Sequence, residues 1–163
     1  MWLSYEHFLL LFLVLIANGA PILGTVVFRS SFDHPLDNRR TFGDGRPLFG
    51  ESKSWRGIVL ALLLTPLASI LLGLGWLLGS VVAVFAMLGD LFSSFIKRRI
   101  GMPSSSMALG LDQVPEALFP LLAAHLLVDM TMQQTGLLVL LFFVLELVLS
   151  RILYWLHIRN QPF

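Results

Sequence analysis

Long apolar runs separated by polar segments constrain this chain more than any other feature of its sequence. A helix needs roughly 20 mostly apolar residues to cross a bilayer core of about 30 Å. Continuous runs of this kind exclude the alternating short strands of a membrane barrel. They predict transmembrane helices at about 8–28, 57–72, 76–96, 114–130 and 136–157. We therefore expect an all-α fold, a polytopic membrane bundle of about five transmembrane helices that forms one domain over residues 1–163.

The composition agrees with a membrane protein and excludes several kinds of site. Hydrophobic residues make up 56% of the 163 residues and charged residues 13%, against about 25% charged in ordinary globular proteins. Cysteine is absent, which excludes disulfides, thiolate metal sites and cysteine nucleophiles. The net charge of +1 and the lack of a basic tail give no indication of a nucleic-acid partner.

The positions of the 11 lysine and arginine residues predict the orientation in the membrane. Six lie between Arg29 and Arg56, three are consecutive at 97–99, and the last two are Arg151 and Arg159. With five spans, all of these positions lie on one side of the membrane. The positive-inside rule therefore predicts a multi-pass protein of the inner cell membrane, with the N-terminus outside and the C-terminus in the cytoplasm.

A long segment at about 29–56 is predicted to be the first of two cytoplasmic loops. Apolar residues are spread among its glycines and charges, which indicates a folded loop packed on the end of the bundle. Glycine-rich turns can direct backbone N–H groups at an anion, and basic side chains add phosphate-binding charge. The basic side chains that could supply this charge are those of Arg39, Arg40, Arg46, Lys53 and Arg56. Arg46, Lys53 and Arg56 are the candidate phosphate-binding residues. The alternative is that these cations only set the topology and meet acidic lipid headgroups.

Asp90, near the end of the third apolar run, is the second candidate feature. A carboxylate in an apolar helix is costly unless it is paired, binds a metal or faces water. Asp90, Ser94 and Lys97 fall on nearly one helical face, and two arginines follow directly. The stripe leads to the second cytoplasmic loop, predicted at about 97–113. The alternative is that Asp90 pairs with a cation only to join two helices.

Asp112, at the start of the fourth apolar run, is the third candidate feature. Asp commonly caps a helix, and Pro115 and Glu116 in the following turn fit a helix start. Alternatively, Asp112 supplies a second carboxylate to a metal site shared with the third run. Within the spans, Asn18 is expected to hydrogen-bond between helices, and Glu146 is expected to face the bundle.

Several motifs, taken together, resemble the CDP-archaeol synthase family, which is related to bacterial CDP-diacylglycerol synthases. They are Arg46-Pro-Leu-Phe-Gly-Glu-Ser-Lys-Ser-Trp-Arg-Gly57, then Gly89-Asp90, then Ser94-Phe-Ile-Lys-Arg-Arg-Ile-Gly101, and then Leu111-Asp112-Gln113. The likeness covers about residues 37–120 with the same order and spacing. Each motif alone is weakly specific, whereas the combination is specific.

The resemblance implies a membrane cytidylyltransferase that converts CTP and a lipid phosphate into a CDP-lipid and pyrophosphate. The lipid would be phosphatidic acid or an isoprenoid ether-lipid phosphate. The resemblance also implies Mg²⁺ as the cofactor, with Asp90 and Asp112 as its ligands and Lys97 as a further catalytic residue. The side chains implied to bind substrate phosphates are Lys53, Arg56, Arg98, Arg46 and Ser94. The sequence leaves a homodimer open.

A second class of function fits the generic features of the sequence, namely a small membrane transporter or a non-catalytic lipid-binding scaffold. A transporter would place polar residues near the middle of the membrane and broken helices in corresponding halves of the chain. Here the polar residues instead crowd one interface, which favours the enzyme.

Overall fold

Five α-helices make up the computed structural model, which describes residues 2–29 and 31–156. The helices are α1 (Tyr5–Phe28), α2 (Trp55–Leu71), α3 (Trp76–Arg99), α4 (Gln113–Ala124) and α5 (Met132–Trp155). The all-helical prediction is confirmed, and the described residues contain isolated β-bridges but no strand. The predicted end of the last span at His157 and the cation Arg159 lie outside the described residues.

Polar caps set the starts of several helices, which begin earlier than the apolar runs predict. Thr131 and Gln134 form a capping box, so α5 begins four residues before its predicted start. The Ser54 side chain accepts a hydrogen bond from the Gly57 N–H, so α2 begins two residues early. The apolar pattern therefore locates the helix interiors, whereas neighbouring polar side chains fix the ends.

The prediction of a fourth span over 114–130 is wrong at its end, because α4 stops at Ala124. The N–H groups of residues 125–127 bond to carbonyls three positions back, which is a 3₁₀-type turn. His125 also lies 2.8 Å from the Thr135 hydroxyl, which ties this turn to the first turn of α5. With 12 residues, α4 is only about 18 Å long.

The lengths of the helices define the membrane bundle and its two ends. Helices α1, α3 and α5 have 24 residues each and are long and apolar enough to cross a membrane. Helix α2 is a shorter apolar helix of 17 residues, about 25 Å long. Short turns at 72–75 and 125–131 join helices at one end, and the two long loops lie at the other. The predicted five-helix membrane bundle is confirmed, although α4 falls short of a full span.

Small and aliphatic side chains form the core and allow the helices to approach closely. Fully buried members include Leu13, Val14, Ala17, Val82, Ala86, Ala117 and Leu121. At Gly89 of α3, a Cβ atom would lie 2.2 Å from the Pro115 carbonyl oxygen of α4, closer than real Cβ contacts allow. Only glycine fits this position, and the contact places Asp90 against the first turn of α4.

Candidate functional site

A cavity of about 930 Å³ lies at the loop end of the bundle. Its walls include five of the residues singled out from the sequence, which are Lys53, Arg56, Asp90, Lys97 and Asp112. These residues come from both loops and the adjoining helix ends, and the fold brings them to one place. A pocket of this volume is large enough for one ligand of nucleotide size.

Lys53 and Asp90 form an ion pair between the first loop and α3, with 2.5 Å between Nζ and Oδ1. The structure therefore contains an ion pair of the kind that the alternative interpretation of Asp90 predicts. This pair lies in the wall of the cavity. Burial alone would lower the pKa of Lys53. The negative charge of Asp90, together with the charges of Glu116 and Asp112, outweighs burial, so the pKa of Lys53 lies above its ordinary value. Lys53 therefore keeps its positive charge near neutral pH.

Lys97 and Asp112 form a second ion pair, with 2.7 Å between Nζ and Oδ1. Lys97 also donates to the Ser106 carbonyl at 2.8 Å, and Asp112 Oδ2 accepts from the Ala108 N–H at 2.9 Å. Asp112 occupies the N-cap position of α4, yet its side chain makes no capping hydrogen bond. Its carboxylate instead faces the lysine and the second loop.

Glu116 lines the cavity, whereas the sequence indicates only that it lies in the first turn of a helix. Its carboxyl group lies close enough to that of Asp90 for the two to influence each other, and both groups line the cavity. The carboxyl group of Glu146 acts on Glu116 electrostatically from α5. The available signal was the four-residue spacing of Asp112 and Glu116, which places both on one face of α4.

Asn18 makes the expected contact between helices and also lines the cavity. Its Nδ2 donates to the Val14 carbonyl at 3.0 Å within α1 and to the Glu116 carbonyl at 3.4 Å across to α4. The contact therefore connects α1 to the first turn of α4, where two of the cavity carboxylates lie.

Arg56 lines the cavity while its guanidinium holds the start of the first loop. The side chain is only 5% exposed. It donates to the Arg29 and Ser31 carbonyls at 2.7 and 2.8 Å and pairs with Asp33 at 3.1 Å. These contacts fasten the segment after α1 onto the first turn of α2, so Arg56 organises the loop.

Three further candidates lie outside the cavity wall within the described part of the chain. Arg98 donates to the Ser104 hydroxyl at 2.9 Å and to the carbonyl of residue 103 at 2.8 Å, which holds the second loop. Arg46 donates to carbonyl oxygens at the end of α3 and so fastens the first loop. Ser94 is buried, with 2% of its surface exposed.

Arg99 is the second residue whose role the sequence did not reveal. Its guanidinium lies 5.0 Å and 4.9 Å from the ring centroids of Phe42 and Phe95. It also pairs with Asp44 at 2.6 Å and donates to two carbonyl oxygens of the first loop. Arg99 therefore fastens the middle of that loop to α3, a combination of stacking and forked hydrogen bonding that suits arginine.

Asp37 shows that the first loop is folded, as its composition predicts. Its carboxylate accepts hydrogen bonds from the N–H groups of Arg39, Phe49 and Gly50 at 2.9 to 3.1 Å. Burial raises the pKa of Asp37, but these backbone donors outweigh burial, so the pKa lies below its ordinary value. The loop is therefore built around an internal carboxylate.

Comparison with known proteins identifies relatives along nearly the whole chain. Residues 5–163 match the family described as CarS-like: CDP-archaeol synthase. A CDP-archaeol synthase of Pyrobaculum islandicum is 32% identical over 160 residues, which are 95% of this chain and 96% of that protein. Proteins of the same name from Sulfurisphaera tokodaii and Saccharolobus islandicus are 33% and 35% identical, over 91% and 90% of this chain and 89% of each relative.

A solved structure shares the arrangement of the helices. It is described as an intramembrane enzyme for archaeal membrane lipid biosynthesis, and it superposes with a TM-score of 0.73. The two sequences are 27% identical, and the match covers 89% of this chain and 92% of that one. The sequence motifs, the five-helix bundle and the family match agree. The chain therefore belongs to the CDP-archaeol synthase family.

Proposed function

We propose that this protein is a cytidylyltransferase that converts CTP and an isoprenoid ether-lipid phosphate into a CDP-lipid and pyrophosphate. The observation that carries the proposal is the presence of two lysine–carboxylate pairs in one cavity at the end of a membrane bundle. Membership of the family supports the type of reaction. The name shared by the relatives supports an archaeal ether lipid over phosphatidic acid.

The reaction requires the protein to bring two anions together. An oxygen of the lipid phosphate attacks the α-phosphorus of CTP and forms a new P–O bond. The bond from the α-phosphorus to the bridging oxygen breaks, and pyrophosphate leaves with that electron pair. Phosphate monoesters have a second pKa of about 6, so the nucleophile is already charged near neutral pH. The site therefore needs positive charge and positioning more than it needs a strong base.

Lys53 and Lys97 are the side chains best placed to supply this charge. Each ammonium group lies in the cavity wall and is paired with a carboxylate. When a triphosphate binds, one ammonium group can contact its oxygens from the first loop and the other from the last turn of α3. The same fixed charges would stabilise the negative charge that develops on the phosphate oxygens in the transition state. We also propose phosphate contacts for Arg56, Arg98, Arg46 and Ser94. In this structure the hydrogen bonds of the three arginines hold the loops.

The carboxylates of the cavity fit a magnesium ion. Magnesium prefers oxygen ligands and is usually held by one or two carboxylates together with substrate phosphates and water. Asp90 and Asp112 would hold it, with Glu116 beside Asp90. The described residues contain no group of three acidic or histidine side chains arranged to hold a metal ion, so substrate phosphates and water would have to supply the remaining ligands. A bound magnesium ion would neutralise phosphate charge.

The test is turnover by the purified protein in detergent with CTP, Mg²⁺ and one lipid phosphate at a time. We expect equal amounts of pyrophosphate and CDP-lipid with an isoprenoid ether-lipid phosphate, and less product with phosphatidic acid. Asp129→Asn, in the exposed turn at the opposite end, is the control variant for handling and folding. Absence of pyrophosphate with every lipid, from protein that still melts cooperatively, would contradict the proposal.

We further propose that the loop end faces the cytoplasm, where CTP is made. The lysine and arginine residues of the described part all lie in the loops or at the helix ends beside them. The chain has no cysteine, so single cysteines can report on each side. Ser52→Cys should label only after the membrane is permeabilised, and Gln133→Cys should label in intact cells. The reverse pattern would overturn the orientation.

A further inference from the structure

We infer that Asn18 is a positioning residue for the carboxylates of the cavity, because its side chain gives α4 a hydrogen bond that Pro120 cannot give. The inference rests on the proposed function and adds a residue of α1 to the groups on which the reaction depends. Asn18 acts in this role through the first turn of α4 and not through the reacting atoms.

Pro120 lies inside α4 and deprives one carbonyl group of its regular partner. In an α-helix each N–H bonds to the carbonyl four residues earlier, so the N–H of residue 120 would bond to the Glu116 carbonyl. Proline has no N–H, and Pro120 is fully buried within the helix. Inside a membrane bundle, a carbonyl freed in this way needs a donor from a neighbouring helix.

The side-chain amide of Asn18 is such a donor. Its Nδ2 lies 3.4 Å from the Glu116 carbonyl oxygen and 3.0 Å from the Val14 carbonyl oxygen. Carbonyl oxygens only accept hydrogen bonds, so the nitrogen of the amide, and not its oxygen, must face both. The bond therefore meets the one carbonyl of α4 that Pro120 leaves without a helical donor.

The first turn of α4 is consequently held from two sides. Helix α3 touches it at Gly89, where a Cβ atom would lie 2.2 Å from the Pro115 carbonyl oxygen. Helix α1 packs mainly on α2 and α3 and only lightly on α4, so the Asn18 bond is a large part of its hold on this turn. Asp112 at the N-cap and Glu116 in the first turn both line the cavity. Without Asn18, α3 alone would fix their positions.

A double-mutant cycle between Asn18 and Pro120 tests this coupling. Asn18→Leu removes the donor, and Pro120→Ala restores the backbone N–H that bonds to the Glu116 carbonyl within α4. We expect Asn18→Leu to lower kcat about tenfold and to raise the Mg²⁺ concentration for half-maximal turnover, the scale of leaving a buried carbonyl unpaired. In the Pro120→Ala background the same change should cost less than about twofold.

Ser80→Ala is the control for the cycle. The Ser80 hydroxyl donates to the Trp76 carbonyl within α3, at the far end and outside the cavity wall, so its loss should leave turnover unchanged. Equal losses from Asn18→Leu in both backgrounds, or no loss in either, would overturn the inference. If Asn18→Leu does not fold, Asn18→Ala takes its place in the same cycle.

Hydrogen exchange separates failure of this inference from failure of the proposed function. Exchange of the backbone N–H groups in residues 113–119 is measured in detergent without substrates. It should be faster in Asn18→Leu than in wild type and should slow again when Pro120→Ala is added. Unchanged exchange in Asn18→Leu would reject the inference whatever the turnover. Faster exchange that Pro120→Ala reverses, in a protein that makes no CDP-lipid, would keep the role of Asn18 in holding α4 and reject the transferase.

Discussion

The two ends of the bundle are stabilised by different kinds of contact. At the loop end, charged side chains bond to backbone and to each other, as in the Arg56 and Arg99 contacts that hold the first loop. At the opposite end, short turns are closed by caps such as the Thr131 capping box. One end fixes charges around a cavity, and the other only reverses the chain. Substitutions should therefore change activity at the loop end and stability at the other.

The largest contrast is expected between carboxylates of the same type at the two ends. Asp90→Asn and Asp112→Asn should each lower turnover by about a thousandfold, because each removes a charge from the cavity wall. Asp129→Asn, exposed in the 125–131 turn, should leave turnover unchanged. Turnover and Mg²⁺ affinity are measured for the three variants, with melting temperature as the fold control. A comparable loss of turnover in Asp129→Asn would contradict the expected difference between the two ends.

The second contrast concerns cations within the loop end. Lys53→Ala and Lys97→Ala should lower turnover by about a hundredfold, since each removes an ammonium group from the cavity. Arg39→Ala is the matched control, because its side chain is 77% exposed and its one ion pair among the described residues is with the exposed Glu51. The measurement is cytidylyl transfer at equal amounts of folded protein. Similar activities in all three variants would indicate that these cations only set the topology and meet lipid headgroups.

A smaller effect is expected for Arg99, which holds the loop without lining the cavity. Arg99→Ala should raise KM for CTP about tenfold with a smaller change in kcat, because a loosened loop weakens binding. Limited proteolysis should cut the first loop faster. Arg99→Lys should rescue little, since lysine lacks the planar fork. A loss as large as that of Lys97→Ala, with the loop still protected, would instead assign Arg99 to the chemistry.

The next smaller effect is a pH dependence that belongs to the first loop. The pKa of Asp37 lies below its ordinary value of 3.8, so its stabilisation is present above that pH and is lost as the pH falls through the lower folded value. Protease protection of the loop should decline in the same acidic window. Asp37→Asn should lower protection at neutral pH by about 1–3 kcal/mol of local stability and remove this part of the acid response.

The smallest effect on activity is expected at the end far from the loops. Thr131→Ala removes the N-cap of α5 and should cost about 1 kcal/mol of stability. Turnover should remain at the wild-type value, because the cavity lies at the other end. Thermal unfolding and steady-state turnover measure both quantities on one preparation. A loss of activity without a loss of stability would show that the two ends are coupled.

The sequence predicted the fold well because apolar runs report directly on membrane helices. Its main failure was the end of α4, where His125 and Thr135 tie a tight turn to the next helix. That contact joins residues in different helices, and hydropathy cannot reveal it. Helix starts were missed for a similar reason, because single caps such as Ser54 outweigh the average of a window.

The site was predicted in part, and the misses share one cause. Asp90 and Asp112 stand out because acidic residues are rare beside apolar runs, and both lie in the cavity wall. Glu116 was assigned to a helix start because its contact with Asp90 depends on how α3 packs on α4. Arg99 lies two residues beyond Lys97 and so points to another side of α3. Only the folded loop shows what it contacts there.

The close approach of α3 and α4 at Gly89 should make one wall of the cavity stiff. Helices whose backbones touch cannot slide or rotate past each other without a clash, so we expect the spacing of Asp90 and Glu116 to change little when a ligand binds. Any widening that releases a bulky product should then come from the other elements that line the cavity. The α3–α4 seam should reject nearly every change at Gly89.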